Sequence, residues 1–185
     1  MISVFRIKNN VNIYQYFLTE IEEEARLLRT NGLSREHSWV PPSVFVYKPQ
    51  LEIGNFFNFN SDALIADQKA TEVLRSFFME SGELLPLPYK GINYTLLNVT
   101  ECINCLDHDE TRWTYDTENK IPLIINKYVF YKNRFPESCI FKIPETAKSE
   151  LFVVNGLRDT EDEFITKVVE SGLKGLYFEK VWEGV

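Results

Sequence analysis

The sequence predicts an α+β fold, a mainly antiparallel sheet covered by about three helices near residues 15–31, 67–81 and 160–171. Three observations carry this expectation. Short apolar runs bounded by Asn, Pro and Gly recur along the chain, as strands do. Other segments space their apolar residues three and four apart behind plausible caps, as helices do. The 185 residues are 44% hydrophobic and include 14 Phe and 9 Tyr, enough apolar mass for one sizeable core, while only 8 Gly and 8 Pro argue against a linker-rich or disordered chain. A single domain over 1–185 is expected.

Taken in order, Ile2 to Ile7 alternates apolar and polar residues as a half-buried strand would, and Asn9-Asn10 breaks it. Phe17, Ile21, Ala25 and Leu28 fall on one helical face. Glu20, Glu22, Glu23 and Glu24 crowd the first half, where carboxylates suit the positive end of a helix dipole, and Gly32 is the expected stop. This glutamate run reads first as a solvated face and second as an acidic docking face. Ser34 to Pro42, with His37, Trp39 and paired prolines, reads as a loop before a strand at Ser43 to Tyr47. Trp39 suits a core or an interface anchor. His37 has no nucleophile or orienting carboxylate at a catalytic spacing.

The aromatic knot Phe56-Phe57-Asn58-Phe59 reads as core. Asp62 to Ala66 reads as a short buried strand, and Asp67 as the cap of a helix running to Ser81 on an apolar face of Ala70, Val73, Leu74, Phe77 and Phe78. Gly82 is expected to end it in a left-handed conformation. Pro86 and Pro88 make Leu84 to Pro88 an extended, edge-like passage, and Ile92 to Val99 a strand. Ile121 to Phe130, Ser138 to Ile143 and Leu151 to Val154 read as further strands. Thr160-Glu-Asp-Glu163 is a capping-box candidate for a last helix, with Phe164, Ile165, Val168 and Val169 facing inward and Gly172 at its end. Gly175 to Trp182 closes the set as a strand.

The chemical candidates lie between residues 102 and 116. Cys102, Cys105, His108 and Asp109, with Cys139, include the donor types of a tetrahedral zinc site. No second paired Cys or His motif accompanies them, and the Cys-x-x-Cys spacing has no strand-to-helix context of a redox motif. The thiols are therefore expected to be structural, with no metal and no cofactor. Asp107, Asp109, Glu110 and Asp116 stand among Trp113 and Tyr115. Acids interleaved with aromatics suit recognition of a basic protein surface, because the aromatics supply buried area and the acids supply steering. These six residues are the candidate partner-binding set; the plainer reading is a strand-and-turn edge.

Composition narrows the function classes. Twenty-seven acidic against twenty basic residues leave a net charge of −7, which disfavours nucleic acid and favours a basic partner. No apolar run approaches a membrane span, so no membrane partner is expected. Three cysteines and an N-terminus interrupted early by charge suit the cytoplasm. No glycine-rich phosphate loop or nucleophile elbow is present, so no enzymatic activity is expected.

A pattern of Asp62-Ala-Leu64, a helix, Leu85-Pro86, Tyr94-Thr-Leu-Leu-Asn98 and Leu106-Asp107 resembles immunity protein family eleven of bacterial polymorphic toxin systems. A Gly175-led strand with Phe178 and Val181-Trp182 resembles the end of the same family, so the likeness spans about Gly54 to Trp182 and leaves 1–53 unmatched. The resemblance implies stoichiometric binding and neutralisation of a cognate protein toxin. It brings no catalytic residues, and the matching positions read as caps, turns and core. The alternative is a small metal-dependent or hydrolytic enzyme built on Cys102 to Asp109.

Overall fold

In the computed structural model, which describes residues 1–27, 29–58, 62–116, 118 and 121–184, the strands form two four-stranded antiparallel sheets and two two-stranded sheets. The first half contains β1 (Ile2–Asn9), β2 (Tyr16–Thr19), α1 (Glu22–Leu27), β3 (Val44–Tyr47), β4 (Phe56–Phe57), β5 (Leu64–Ala66), α2 (Gln68–Val73), α3 (Arg75–Ser81), β6 (Gly82–Tyr89) and β7 (Ile92–Val99). The second contains β8 (Arg112–Tyr115), β9 (Pro122–Lys127), β10 (Ile140–Phe141), β11 (Leu151–Asn155), α4 (Phe164–Glu170) and β12 (Leu176–Gly184). The fold class is thus α+β with mainly antiparallel sheets, as expected.

The two sheets repeat one topology with the chain order permuted. One runs β4-β5-β7-β6 and the other β10-β11-β1-β12, every neighbour antiparallel. In each, a two-residue strand leads to a buried strand, a helix follows, and a long edge strand returns. Where β6 turns into β7, with Tyr89 opposite Ile92, the other sheet sets Gly184 opposite Ile2. The alternation of side chains follows this repeat. Leu64, Ala66 and Leu97 of one sheet share an apolar cluster with Leu151, Val153 and Ile7 of the other, and with Ala70, Leu74, Phe77, Phe78, Phe164 and Val168 of the helices. Ile65 and Phe152, one residue out of step, point to opposite outer faces. The antiparallel β2–β3 pair covers the first outer face, with Phe17 fully buried among Phe57, Tyr89 and Tyr94. Residues around 105–106, 128–130 and 135 cover the second.

Several expectations are corrected. The helix near 15–31 is a strand and a short helix: Tyr16–Thr19 pairs with Val44–Tyr47, and only Glu22–Leu27 is helical. Phe17 and Ile21 satisfy a four-residue spacing by accident, since Ile21 is exposed. Pairing with β3 decides the conformation of aromatic and β-branched residues that suit a strand; Leu28 and Phe59 lie outside the described residues. The helix over 67–81 divides at Leu74, where one helix ends and the next begins. Gly82 is extended (φ 168°) and not left-handed. A Cβ there would stand 2.0 Å from the Asn98 carbonyl oxygen, so close strand approach is what requires glycine. Thr160 to Glu163 is no capping box: Thr160–Asp162 is a 3-10 turn, and Glu163 accepts from the amides of Gly156 (2.6 Å) and Arg158. The strand expected over Ile121 to Phe130 stops at Lys127, and that over Ser138 to Ile143 shrinks to Ile140–Phe141. Asp67 does cap α2, accepting from the Ala70 amide at 2.7 Å.

The segment from Thr30 to Arg35 is fastened by buried polar groups. The Thr30 amide donates to Asp62 Oδ2 at 2.8 Å, its hydroxyl donates to the Asp62 carbonyl, and Lys142 Nζ donates to the Thr30 carbonyl and hydroxyl oxygens. All three residues are buried, and burial lowers the Lys142 ammonium to about 8 although Asp62 works in the opposite direction. Asn98 Nδ2 donates to the Leu33 carbonyl and to Glu83. Glu83 also accepts from Ser34 and the Arg35 amide; burial opposes its charge, yet these donors hold it below the usual carboxylate range. Asp62 and Asn98, both in the family-like pattern, are therefore scaffold residues that tie down this strap.

Candidate partner-binding face

The β8–β9 hairpin rises from the covering of the second outer face. Its base is set by backbone bonds from Asp107 to Val129 (2.8 Å) and from Tyr131 to Cys105 (2.9 Å), which draw together the chain before β8 and after β9. Trp113 and Ile125 are register partners and pack, half-buried, against the cluster containing Val4, Phe141 and Phe152. Farther along the hairpin Tyr115, Ile121, Leu123 and Ile124 are 51%, 54%, 62% and 61% exposed. Among the described residues neither strand pairs with a third. Four large apolar side chains of one hairpin are each more than half in water, divided between its two faces because successive strand residues alternate.

A cleft of about 450 Å³ separates β9 from the turn at 145–150, with Arg6 and Tyr128 along it. Its charges are mostly internal pairs. Arg6 donates to Glu150 Oε1 at 2.5 Å and to Glu179 at 2.7 Å, the Tyr128 hydroxyl donates to Glu150 Oε2 at 2.9 Å, and Lys8 pairs with Glu179. Burial, with Glu150 adjoining, pushes the Tyr128 hydroxyl far above its ordinary value, so it stays a donor. Glu145 Oε1 lies 2.7 Å from His108 Nε2, and the His108 ring lies 6.1 Å from that of Trp113.

The six residues singled out in the sequence fall into two groups. Asp107 is half-buried and serves its own turn, accepting from the amides of Asp109 (3.1 Å) and Glu110 (3.2 Å), so its role is scaffold. Asp109 and Glu110 are exposed on that turn, Trp113 is wedged half-buried under the hairpin, Tyr115 is exposed, and the Asp116 amide closes the hairpin on the Ile121 carbonyl at 2.8 Å. Sequence reading missed Ile121, Leu123 and Ile124 as surface residues. A continuous apolar run is the signature of a doubly buried strand, and nothing local reveals that this one is left uncovered.

Of the Cys102 to Asp109 candidates, Cys105 is buried, Cys102 half-buried, and His108 and Asp109 exposed. Burial pushes the thiols of Cys105 and Cys139 up to about 12, and that of half-buried Cys102 upward as well. Among the described residues no group of three His, Cys, Asp or Glu side chains is placed to hold a metal ion. Elsewhere, Glu22 and Glu23 of α1 are exposed, and Glu24 accepts from the Ser43 amide. Trp39 Nε1 donates to the Pro86 carbonyl at 2.8 Å, which pins the 34–42 loop over the edge strand β6. No helix among the described residues is long and apolar enough to cross a membrane. The fold and this face define an α+β chain with an uncovered apolar hairpin. No family model and no curated protein matches the sequence.

Proposed function

We propose that this protein is an immunity protein that binds a cognate bacterial toxin in the cytoplasm and neutralises it stoichiometrically, with the β8–β9 hairpin in the contact. The observation that carries the reading is the hairpin itself: exposed Tyr115, Leu123 and Ile124 toward its tip, with the exposed acidic turn Asp109-Glu110 at its base. An apolar centre with a charged margin is the ordinary anatomy of a protein interface. The resemblance over Gly54 to Trp182 supplies the class of partner, and the −7 charge favours a toxin with a basic face. Inhibition then consists in occluding the toxin's working cleft or holding it in an inactive shape. Nothing in this mechanism needs a catalytic residue or cofactor from the chain.

The test is co-expression with the toxin domain encoded beside its gene, followed by purification and binding kinetics at two salt concentrations. A 1:1 complex and rescue of growth are expected. Neutralising Asp109, Glu110 and Asp116 should slow association and flatten its salt dependence, since rim carboxylates chiefly steer encounter. Leu123→Ser with Ile124→Ser should speed dissociation while leaving the melting curve unchanged. Unchanged kinetics for all these variants would remove the hairpin from the contact.

A further inference from the structure

We infer that the outer face of the β2–β3 pair is a self-association surface, which receives the same face of a second copy of this chain about a two-fold axis. This face lies apart from the proposed toxin contact and does not depend on it. In the register of the pair Tyr16 stands opposite Tyr47 and Leu18 opposite Phe45. Strand alternation sends these side chains to one side, because Phe17 and Val44 are buried on the other and Val46 packs against the same inner cluster. Leu18, Phe45 and Tyr47 are 36%, 36% and 41% exposed, and the Tyr16 and Tyr47 rings lie 5.3 Å apart. Together they form a continuous apolar and aromatic pad, the composition that interface centres favour.

The ends of the pad decide what covers it. Exposed Glu20 continues the line of Leu18, since its amide donates to the Ser43 carbonyl at 2.8 Å and so extends the pairing by one residue on each strand. At the other end, exposed Lys48 holds its ammonium 5.9 Å from the centre of the Tyr47 ring. Neither charge takes part in an ion pair among the described residues. A partner surface of one sign would suit one end and be repelled at the other, whereas a second copy satisfies both. With the axis across the strands, between the Tyr16–Tyr47 and Leu18–Phe45 rows, the tyrosine row of each copy lies on the Leu18–Phe45 row of the other. Glu20 of each copy then approaches Lys48 of its mate. An axis along the strands would set like ends together, so the charges select the first arrangement. The pad is small beside a standard interface, so association is expected to be weak and reversible. The β8–β9 hairpin stands on the covering of the other outer face and stays free in the pair.

Sedimentation equilibrium of the free protein, with no toxin present, tests this. The wild type should rise with concentration toward twice the chain mass. Glu20→Lys and Lys48→Glu should each weaken self-association by about tenfold or more, because each sets like charges together at both ends of the pad. Their equimolar mixture should associate as the wild type does, since in the mixed pair each reversed charge meets a reversed one and each native charge a native one. Tyr47→Ser should weaken association with an unchanged melting curve. A wild type that stays monomeric overturns the inference, and so does association that the charge reversals leave untouched or that the mixture fails to restore. If the free protein is monomeric and Tyr47→Ser weakens toxin binding instead, the pad belongs to the toxin contact and self-association is refuted. Failure of the toxin to bind would sink the proposed function and leave this measurement unaffected.

Discussion

Replacing Lys142 with methionine should change how stability depends on pH in one defined interval. Lys142 is fully buried, reaches Thr30 with its ammonium, and is lowered by burial from 10.5 to about 8. Below pH 8 it is protonated in both states, and the folded protein carries the full cost of the buried charge. Between about 8 and 10.5 the unfolded chain binds the proton more tightly than the fold, so stability rises with pH through that window. At about 1.4 kcal/mol per tenfold change in proton affinity, the rise is about 3 kcal/mol. The thiols of Cys105 and Cys139 act in the opposite sense: they are raised from 9 to about 12, so the fold holds their protons longer and loses stability as pH rises through that range. Both proteins share those thiols, so the difference between them reports the lysine together with its coupling to the half-buried Cys102 thiol. Urea unfolding of wild type and Lys142→Met at pH 7, 8, 9 and 10 should show the wild type gaining on the variant by up to about 3 kcal/mol. The starting offset at pH 7 does not enter the argument. Parallel stability curves from pH 7 to 10 would refute the assignment of a depressed ammonium to this site.

Three further outcomes are expected. In the native protein at pH 8, iodoacetamide should leave Cys105 and Cys139 unmodified and label half-buried Cys102 slowly, because burial keeps the thiols protonated, whereas urea should expose all three to rapid labelling that mass spectrometry counts. Gly175→Ala should cost about 1–3 kcal/mol in urea unfolding: φ is +116°, and the added Cβ would stand 2.5 Å from the Phe56 carbonyl oxygen. Asp67→Ala should cost about 1 kcal/mol through loss of the α2 cap, with hydrogen exchange quickening first at Ala70, whose amide the Asp67 carboxylate accepts.

What the sequence determined by itself is what depends on neighbours along the chain. Asp67 before a helical apolar pattern, Pro86 and Pro88 within an extended edge strand, Gly172 past the last helix and the alternation of Ile2 to Ile7 all act within a turn or a few residues, so local physics fixes them. The exposure of the turn before β8 was legible for the same reason, since Asp109 and Glu110 are poor material for a core. Tertiary structure decided everything that depends on a distant partner. Phe17 is in a strand because Val46 lies opposite it, Gly82 is required by the Asn98 carbonyl, and Glu163 turned from capping its own helix to the Gly156 amide. The division into two sheets depends on Leu64 pairing with Leu97 and Ile7 with Leu151, contacts between residues far apart in the chain. The exposure of Leu123 and Ile124 was hidden for the deepest reason: an apolar run states that a strand prefers burial, and only the arrangement of the whole chain determines whether anything is left to cover it.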